Sequence, residues 1–274
     1  MDTFKKFFIS YADELWVGRH RDQTVNKLMM FAHYKRYGDK LLSDFTATEI
    51  ADFLSFIKEN RKLSESTVNR YKAAIKSVFT HAMDLEIITQ APKIKMKTEN
   101  TGRPRSFTDD ELLQIKSFFD RSKEPRISLL VTLSEQTGMR LGEIQEIGST
   151  ALISPCKQWL KLKNTKNGDD RDIALTDVTR DCVEKVGVVK DWFSHKVFYQ
   201  LWDECRHRVA RGDRNFVFHV LRHTCASKLA NQFQVNTLVI ADMLGHRSIK
   251  TTQKYVHVNS ETKKSVAELM SKGA

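Results

Sequence analysis

The sequence predicts a mainly α-helical protein with one small β-sheet (an α+β chain), divided into two domains. Apolar residues recur at three- and four-residue spacings along most of the 274 residues, which is typical of helices. Residues 159–175 alternate between apolar and polar side chains, as strands do. Residues 98–105 lose periodicity and contain glycine and proline. We therefore predict a helical domain at 1–97, a linker at 98–105 and a second domain at 106–274.

The first domain is predicted to contain four amphipathic helices. Their apolar faces span residues 4–11, 25–32, 50–57 and 71–82. Thr46 and Glu49 match a capping box, in which each side chain binds the other residue's backbone N–H, ahead of the third helix. Ser64 or Ser66 opens the fourth helix. A chain of this length has enough apolar residues for two separate cores.

The fourth helix carries a polar face opposite its apolar one. That face consists of Asn69, Lys72, Lys76 and Thr80. A polar face is commonly only solvated, and the alternative is that it contacts phosphates or enters a major groove. The linker adds Arg103 and Arg105, which are basic enough to follow a DNA backbone.

The second domain is expected to begin with a helix and then a buried helix. Thr108 and Glu111 form another capping box, and the apolar run at 127–133 predicts the buried helix. Gly138 breaks that helix, and Arg140 follows at the head of the next one. An arginine in this place is commonly a surface residue.

Glu143 lies one helical turn after Arg140. A carboxylate in that position can hold a guanidinium in one orientation, and the effect is larger when the pair is buried.

Residues 159–175 predict a β-hairpin. The strands flank Asn167-Gly168, which is a strong signal for a two-residue turn. Lys166 immediately precedes the turn. A lysine at a hairpin tip is commonly solvated, and the alternative is that it reaches into a neighbouring site.

A helical pattern beginning at His219 brings several polar side chains together. His219, Arg222 and His223 share one side of the predicted helix, at positions i, i+3 and i+4. The two histidines have the spacing of a zinc pair. They lack the glutamate of the HExxH motif, and a third ligand is not evident. We therefore predict no metal.

Gly245 is predicted to end the following helix, because glycine adopts a positive φ without steric cost. His246 comes directly after this stop. Ser248 can cap another short helix, with Tyr255 about two turns into it.

Composition narrows the classes of function. The net charge of +11 and the pI near 9.4 favour a polyanionic partner, although a merely basic soluble protein fits as well. The sequence has no apolar run long enough for a membrane span, and the charged N-terminus does not match a signal peptide. The four cysteines lack a CxxC spacing, so we expect reduced thiols, a cytoplasmic location and no membrane partner.

Three motifs, in this order, resemble the tyrosine recombinase (phage integrase) family. They are TGMRLGEI around Arg140, HVLRH from His219 and LGH ending at His246, with Tyr255 nine residues later. The resemblance implies that the second domain is the catalytic domain. The catalytic residues it implies are Arg140, Lys166, His219, Arg222, His246 and the nucleophile Tyr255, with Glu143 in support. Lys163 is the alternative to Lys166.

The four-helix module also resembles the DNA-binding core-binding (SAM-like) domain of this family. The candidate DNA-binding residues are therefore Asn69, Lys72, Lys76, Arg103 and Arg105. The implied partners are double-stranded DNA with inverted-repeat core sites, other copies of the chain in a tetramer, and accessory DNA-bending proteins. Residues 260–274 predict an amphipathic helix that either folds back on its own domain or docks on a neighbouring protomer.

The implied activity is cleavage and rejoining of DNA through a 3′-phosphotyrosine, with neither metal nor cofactor. We expect an integrase that inserts or excises a phage or mobile element, acting in the cytoplasm or nucleoid of a bacterial host. The first alternative is a Xer-type chromosome-dimer resolvase, which stays open because the helical module is expected to lack the arm-binding domain of larger integrases. The second is a non-catalytic DNA-binding regulator, which would need neither Tyr255 nor paired arginines.

Overall fold

The computed structural model describes residues 2–98, 105–163 and 170–256. In these ranges most elements are helices, and one three-stranded sheet accompanies them. The predicted fold class is confirmed. The chain divides into two units, Met1–Thr101 and Gly102–Ala274. Lys166, Arg103 and the predicted C-terminal helix lie outside the described residues. Among the described helices, none combines the length and the apolar character needed to cross a membrane.

The first unit contains five α-helices and two 3-10 helices. The α-helices are α1 (Phe4–Ser10), α2 (Ala12–Leu15), α3 (Gly18–His33), α4 (Ala47–Arg61) and α5 (Glu65–Asp84), and the 3-10 helices are Tyr34–Asp39 and Leu42–Asp44.

Aromatic rings fill the core of the first unit. Phe4 lies at its centre, with ring centroids 4.9 Å from Phe31, 5.6 Å from Phe45 and 5.8 Å from Phe79. The capping box predicted at the start of α4 is present, and Ser64 accepts a hydrogen bond from the backbone at the start of α5. The four predicted helices correspond to α1, α3, α4 and α5.

The polar face of α5 is only partly exposed, which corrects one expectation. Asn69 and Lys72 are buried, whereas Lys76 and Thr80 face solvent. Residues 93–97 return over this face. Asn69 Nδ2 donates to the Lys97 carbonyl at 2.8 Å and its Oδ1 accepts from the Lys97 N–H at 3.1 Å. Lys72 Nζ donates to a backbone carbonyl of the same segment at 2.9 Å. These two residues therefore hold the chain that leads to the linker, and their predicted contact with DNA stays a prediction.

The second unit contains nine described α-helices and three strands. The helices are α6 (Asp109–Asp120), α7 (Arg126–Thr137), α8 (Leu141–Ile144), α9 (Asp177–Val186), α10 (Val189–Trp192), α11 (His195–Ala210), α12 (His219–Asn231), α13 (Thr237–Leu244) and α14 (Ile249–Gln253); the strands are β1 (Leu152–Ile153), β2 (Trp159–Leu162) and β3 (Arg171–Ala174).

Helix α7 is the centre of the second unit, and it packs against α6, α9 and α12. This arrangement explains its continuous apolar run, because neighbours cover it on several sides. The sheet is antiparallel in the order β1-β2-β3. Strands β2 and β3 form the predicted hairpin, and Leu162 with Arg171 is the described pair nearest to the predicted turn.

Arg105 is held by two carboxylates of the second unit, while its predicted contact with DNA stays a prediction. Its Nε donates to Asp213 at 2.9 Å and its Nη2 donates to Glu111 at 2.5 Å. The guanidinium also lies over the rings of Phe107 and Phe216. Two carboxylates therefore balance its charge.

Tyr255 lies just beyond a helix and not within one. Helix α14 begins after Ser248, as expected, but it ends at Gln253. The chain then turns, and the carbonyl of Tyr255 accepts a hydrogen bond from Asn231 Nδ2 of α12 at 2.9 Å. This bond fixes the end of the described chain against α12.

Candidate active site

Arg140 binds both carboxylate oxygens of Glu143 at the start of α8, one through its backbone and one through its guanidinium. The backbone N–H of Arg140 donates to Glu143 Oε2 at 2.8 Å, and Arg140 Nη1 donates to Oε1 at 2.6 Å. Glu143 is 7% exposed. Because its carboxylate is buried and held at both oxygens, it fixes the orientation of the guanidinium.

Arg222 is buried in α12 with 2% exposure. Its Nη1 donates to the carbonyl of Gly138 at 2.7 Å, and its Nη2 donates to the carbonyl of Leu244. Gly138 has φ of +67°, and a Cβ there would lie 2.3 Å from a methyl carbon of Leu244. Glycine at this position therefore allows the chain to approach closely enough for Arg222 to bind both carbonyls.

Arg171 belongs to the same cluster, and the sequence interpretation missed it. Its Nη2 donates to Glu143 Oε2 at 2.7 Å, and its side chain is 10% exposed. A signal was present: strand side chains alternate, so Arg171 shares a face with the buried Ile173. An arginine on the buried face of a strand needs a buried partner, and Glu143 supplies it.

Three consecutive carbonyl groups at the C-terminal end of α13 each accept a hydrogen bond from a different arginine. They are the carbonyls of Met243, Leu244 and Gly245, which bind Arg171, Arg222 and Arg140 respectively. The last carbonyls of a helix have no partner within it and carry the negative end of its dipole. The end of α13 thus gathers guanidinium groups from three distant parts of the sequence.

The cluster carries more positive than negative charge. Three guanidiniums surround the single buried carboxylate of Glu143. Burial, followed by repulsion from Arg140 and Arg171, lowers the pKa of Arg222 to about 10. Burial also lowers the pKa of Arg171. Guanidinium groups keep their charge in proteins, so the excess positive charge favours an anion next to the cluster.

His246 follows the three carbonyls directly. Its Nδ1 is 2.8 Å from Thr252 Oγ1. Burial, followed by repulsion from the arginines, lowers the pKa of His246 to about 4. The imidazole is therefore neutral at pH 7, with one nitrogen that donates and one that accepts.

Tyr255 is 5% exposed, and its ring lies among apolar residues of α12 and α13. Its hydroxyl is hydrogen-bonded to Nδ1 of His223. Burial raises the pKa of Tyr255. Burial, followed by repulsion from His219 and Arg222, lowers the pKa of His223 to about 4. A neutral imidazole and a protonated phenol therefore share this hydrogen bond, and the tautomer of His223 sets which of them donates.

His219 lies at the exposed start of α12, and its ring meets that of His223 edge-on at 4.7 Å. The resemblance predicts His219 as the proton acceptor for Tyr255, whereas the hydroxyl binds His223 here. The sequence interpretation placed His223 beside His219 and Arg222 and weighed it as half of a zinc pair, but gave it no catalytic role. Its place one turn after His219 was the available signal.

The remaining predicted residues are placed as follows. Lys163 is exposed after the end of β2, while Lys166 lies outside the described residues. Within the parts of the chain that the structure describes, no group of three or more His, Cys, Asp or Glu side chains is arranged to hold a metal ion.

Comparison with protein-family models gives two matches. The phage integrase family matches residues 105–262, and the phage integrase SAM-like domain matches residues 3–96. Similar proteins include tyrosine recombinase XerA of Saccharolobus solfataricus, 26% identical over 77% of this chain and 80% of the relative. A tyrosine recombinase of Thermosipho africanus is 24% identical over 96% of this chain and 98% of the relative. The integrase of Haemophilus phage HP1 is 24% identical over 80% and 66%, respectively.

Solved structures share the fold over almost the whole chain. The Tn1549 transposon integrase in complex with transposon right end DNA has a TM-score of 0.77 and 16% identity, covering 99% of this chain and 100% of that one. A lambda integrase dimer bound to a COC′ core site has a TM-score of 0.69 and 17% identity, covering 93% and 95%. At these identities the similarity shows the fold.

Proposed function

The chain belongs to the phage integrase family, the tyrosine recombinases, which cleave and rejoin DNA in site-specific recombination, and we propose that Tyr255 is its nucleophile. The observation that carries this proposal is the convergence of Arg140 and Arg222 at the end of α13, where they bind adjacent carbonyls. Two guanidiniums from distant segments are therefore close enough to bind one anion together. Tyr255 packs against Leu244, whose carbonyl binds Arg222, so the phenol lies beside this cluster.

We propose that the anion is the scissile phosphate. Attack by a tyrosine hydroxyl places extra negative charge on the non-bridging oxygens in the transition state. Guanidiniums bind such oxygens with two parallel donors, which a lysine ammonium does not reproduce. By analogy with other phosphoryl transfers, one well-placed arginine contributes on the order of a thousandfold in rate.

The proposed step conserves atoms and protons. Tyr255 Oη forms a bond to phosphorus, and the bond from phosphorus to the 5′ oxygen breaks. Lys166 gives a proton to the leaving oxygen, and a histidine takes the phenol proton. We assign that role to His219, because it is exposed and in ring contact with His223, which holds the hydroxyl before DNA binds. His246 donates to the phosphate, and Glu143 holds Arg140.

The product is a 3′-phosphotyrosine, which retains the energy of the broken bond. The 5′ hydroxyl of another strand can attack it, so rejoining needs neither ATP nor a metal. A buried Arg222 implies that the covering side chains move when the phosphate enters.

We further propose that the substrate is double-stranded DNA with inverted-repeat core sites. Two of the solved structures with this fold are complexes with DNA. The net positive charge of the chain also favours binding to DNA. On α5, Lys76 is the exposed candidate for a phosphate contact. Arg103 remains a second candidate by prediction.

Strand exchange by this chemistry involves four active sites, so we propose a tetramer on DNA, with accessory DNA-bending proteins as further partners. Helix α13 presents an exposed apolar face, on which Leu238 is 65% and Val239 is 49% exposed. The amphipathic segment at 260–274 from a neighbouring copy is the occupant we propose, as the family resemblance implies.

We propose an integrase of a phage or mobile element, acting in the cytoplasm of a bacterial host. The relatives bear both integrase and Xer names, so the Xer-type resolvase is the second candidate. A non-catalytic regulator is disfavoured, because it has no need of a buried cluster of arginines beside a tyrosine.

The test uses a nicked DNA substrate that traps the covalent intermediate. Wild type is expected to form an adduct that survives SDS, and Tyr255→Phe is expected to form none. Tyr199→Phe is the matched control, since Tyr199 is 59% exposed and lies on α11. An adduct in Tyr255→Phe refutes the nucleophile. Sequencing the trapped DNA then separates an integrase from a resolvase.

A further inference from the structure

Arg171 joins three elements of the second unit at one point. It is the first residue of β3, and its side chain reaches both α8 and the end of α13. On the basis of the proposed function, we propose that Arg171 is a positioning residue for DNA cleavage: it fixes the Glu143 carboxylate, and with it Arg140, against the end of α13.

The first half of this role concerns Glu143. Glu143 Oε1 accepts from Arg140 Nη1, and Oε2 accepts from both the Arg140 N–H and Arg171 Nη2. Each carboxylate oxygen is therefore held, and the carboxylate plane has one orientation. Without Arg171, Glu143 Oε2 loses the only charged group that donates to it among the described residues. The carboxylate can then rotate, and the Arg140 guanidinium rotates with it.

The second half concerns the end of α13. Arg171 Nη1 donates to the Met243 carbonyl at 2.5 Å. A Cβ added at Gly245 would lie 3.1 Å from Arg171 Cδ, so the aliphatic part of the arginine packs against this glycine. The next two carbonyls, those of Leu244 and Gly245, bind Arg222 and Arg140 respectively. Arg171 therefore fixes the helix end that orients the other two arginines.

The shape of arginine is essential to this arrangement. One guanidinium reaches a carboxylate and a carbonyl on different elements at the same time, because its donors point in fixed, separate directions. A lysine has a single ammonium and cannot span both acceptors from the same position. Lysine is thus the most informative replacement, since it keeps the charge and removes the bridge.

Arg171 acts through its neighbours and does not touch the DNA. Its side chain is 10% exposed, and two of its nitrogens are committed to Glu143 and Met243. Its loss should therefore slow cleavage and leave DNA affinity almost unchanged. An arginine that contacted phosphate would lose affinity as well.

The kinetic experiment is a double-mutant cycle on single-turnover cleavage. Arg171→Met is expected to cleave about a hundredfold more slowly than wild type, the loss typical of a misplacement near 1 Å. The dissociation constant for DNA should stay within about twofold. If Arg171 acts through Glu143, the double variant Arg171→Met/Glu143→Gln cleaves no more slowly than the slower single variant. The proposal would be overturned if the rate losses of the two single variants multiplied in the double variant. A wild-type cleavage rate in Arg171→Met would also overturn it.

The matched control is Arg180→Lys. Arg180 pairs with Asp177 at the surface of α9, away from the cluster. Its replacement should change neither rate nor affinity. Arg171→Lys is the second test variant, should the methionine variant fold poorly, and we expect at least a tenfold slower cleavage from it. A wild-type rate in Arg171→Lys also overturns the proposal.

A structural readout separates this inference from the proposed function. Backbone amides of Gly245 and His246 are hydrogen-bonded at the end of α13. Their hydrogen exchange should be faster in Arg171→Lys than in wild type, and unchanged in Arg180→Lys. If wild type forms no adduct, the proposed function fails, and exchange at these amides still decides whether Arg171 holds the helix end. Unchanged exchange there refutes the positioning role.

Discussion

The hydroxyl of Tyr255 is hydrogen-bonded to Nδ1 of His223, a residue on the helix that also carries Arg222. This bond joins the end of the described chain to the middle of α12. The predicted nucleophile is thereby held, protonated and buried, before DNA is present. Its release must accompany the entry of a phosphate.

The first prediction concerns the stability of this contact. His223→Ala leaves the buried hydroxyl of Tyr255 without its hydrogen-bond partner on α12, so the free energy of unfolding should fall by about 1–3 kcal/mol. Urea unfolding measures the change. His195→Ala at the exposed start of α11 is the control, with no comparable loss expected. Equal stability of both variants would contradict the role of the hydrogen bond.

The second prediction concerns pH. Burial lowers the pKa of His223 and of His246 to about 4, against about 6.5 in the unfolded chain. Between these values the unfolded state binds more protons than the folded state, so folding stability rises with pH there. Stability should be full above pH 6.5 and decline as the pH falls towards 4, by up to about 1.4 kcal/mol per unit for each histidine.

Unfolding midpoints in urea, measured from pH 7 to pH 4, test this expectation. His223→Gln should show a smaller slope than wild type, because one buried histidine is gone. A slope identical to that of wild type would show that His223 is not buried in its neutral form.

The third prediction separates catalysis from affinity at Arg140. Arg140→Lys keeps a positive charge but loses the guanidinium, which binds Glu143 Oε1 through Nη1 and the Gly245 carbonyl through Nη2. DNA binding should persist, while adduct formation falls on the order of a thousandfold. Gel-shift and suicide-substrate assays measure the two quantities. A parallel loss of both would mean that Arg140 serves binding and not the transition state.

The fourth prediction compares two glycines near α8. Gly138→Ala is strained by φ of +67° and places a Cβ 2.3 Å from Leu244, so it should cost about 1–3 kcal/mol. Gly142→Ala meets nothing within 4 Å, and removing a helical glycine should be neutral or stabilising by up to about 1 kcal/mol. Thermal unfolding of the pair gives the contrast. Similar losses in both would disprove the steric argument.

The fifth prediction compares two lysines of α5. Lys76 is exposed, whereas Lys72 donates to the Lys95 carbonyl. If Lys76 contacts a phosphate, Lys76→Ala should lower the slope of log affinity against log salt by about 1. Lys72→Ala should leave this slope unchanged and lower the unfolding temperature. If Lys72→Ala lowered the slope and Lys76→Ala did not, Lys72 would be the lysine that contacts DNA.

Most of the helices followed from the sequence, because an apolar face with a cap is a local signal. The box at Thr46 and Glu49 is one example. The burial of Asn69 did not follow, since it depends on a segment that returns from 28 positions along the chain. Single-helix periodicity cannot report which face a later segment covers.

In the candidate site, too, some residues were predicted from the sequence and others were missed. Motif resemblance predicted Arg140 and Arg222, and the structure brings both to one helix end. Arg171 was missed because its partner Glu143 lies in another element. His223 was missed because its partner Tyr255 lies 32 positions further along the chain. Pairings between distant segments are set by packing, which the residue pattern alone does not encode.

The meeting of three arginines on α13 constrains the length of that helix. Each inserted or deleted residue turns the following carbonyls by about 100° around the helix axis. A single indel inside α13 would therefore disengage Arg140, Arg171 and Arg222 together, whereas most substitutions there leave the backbone acceptors in place. In related proteins, and in variants from directed evolution, substitutions in α13 should therefore be common, whereas insertions and deletions within it should be rare.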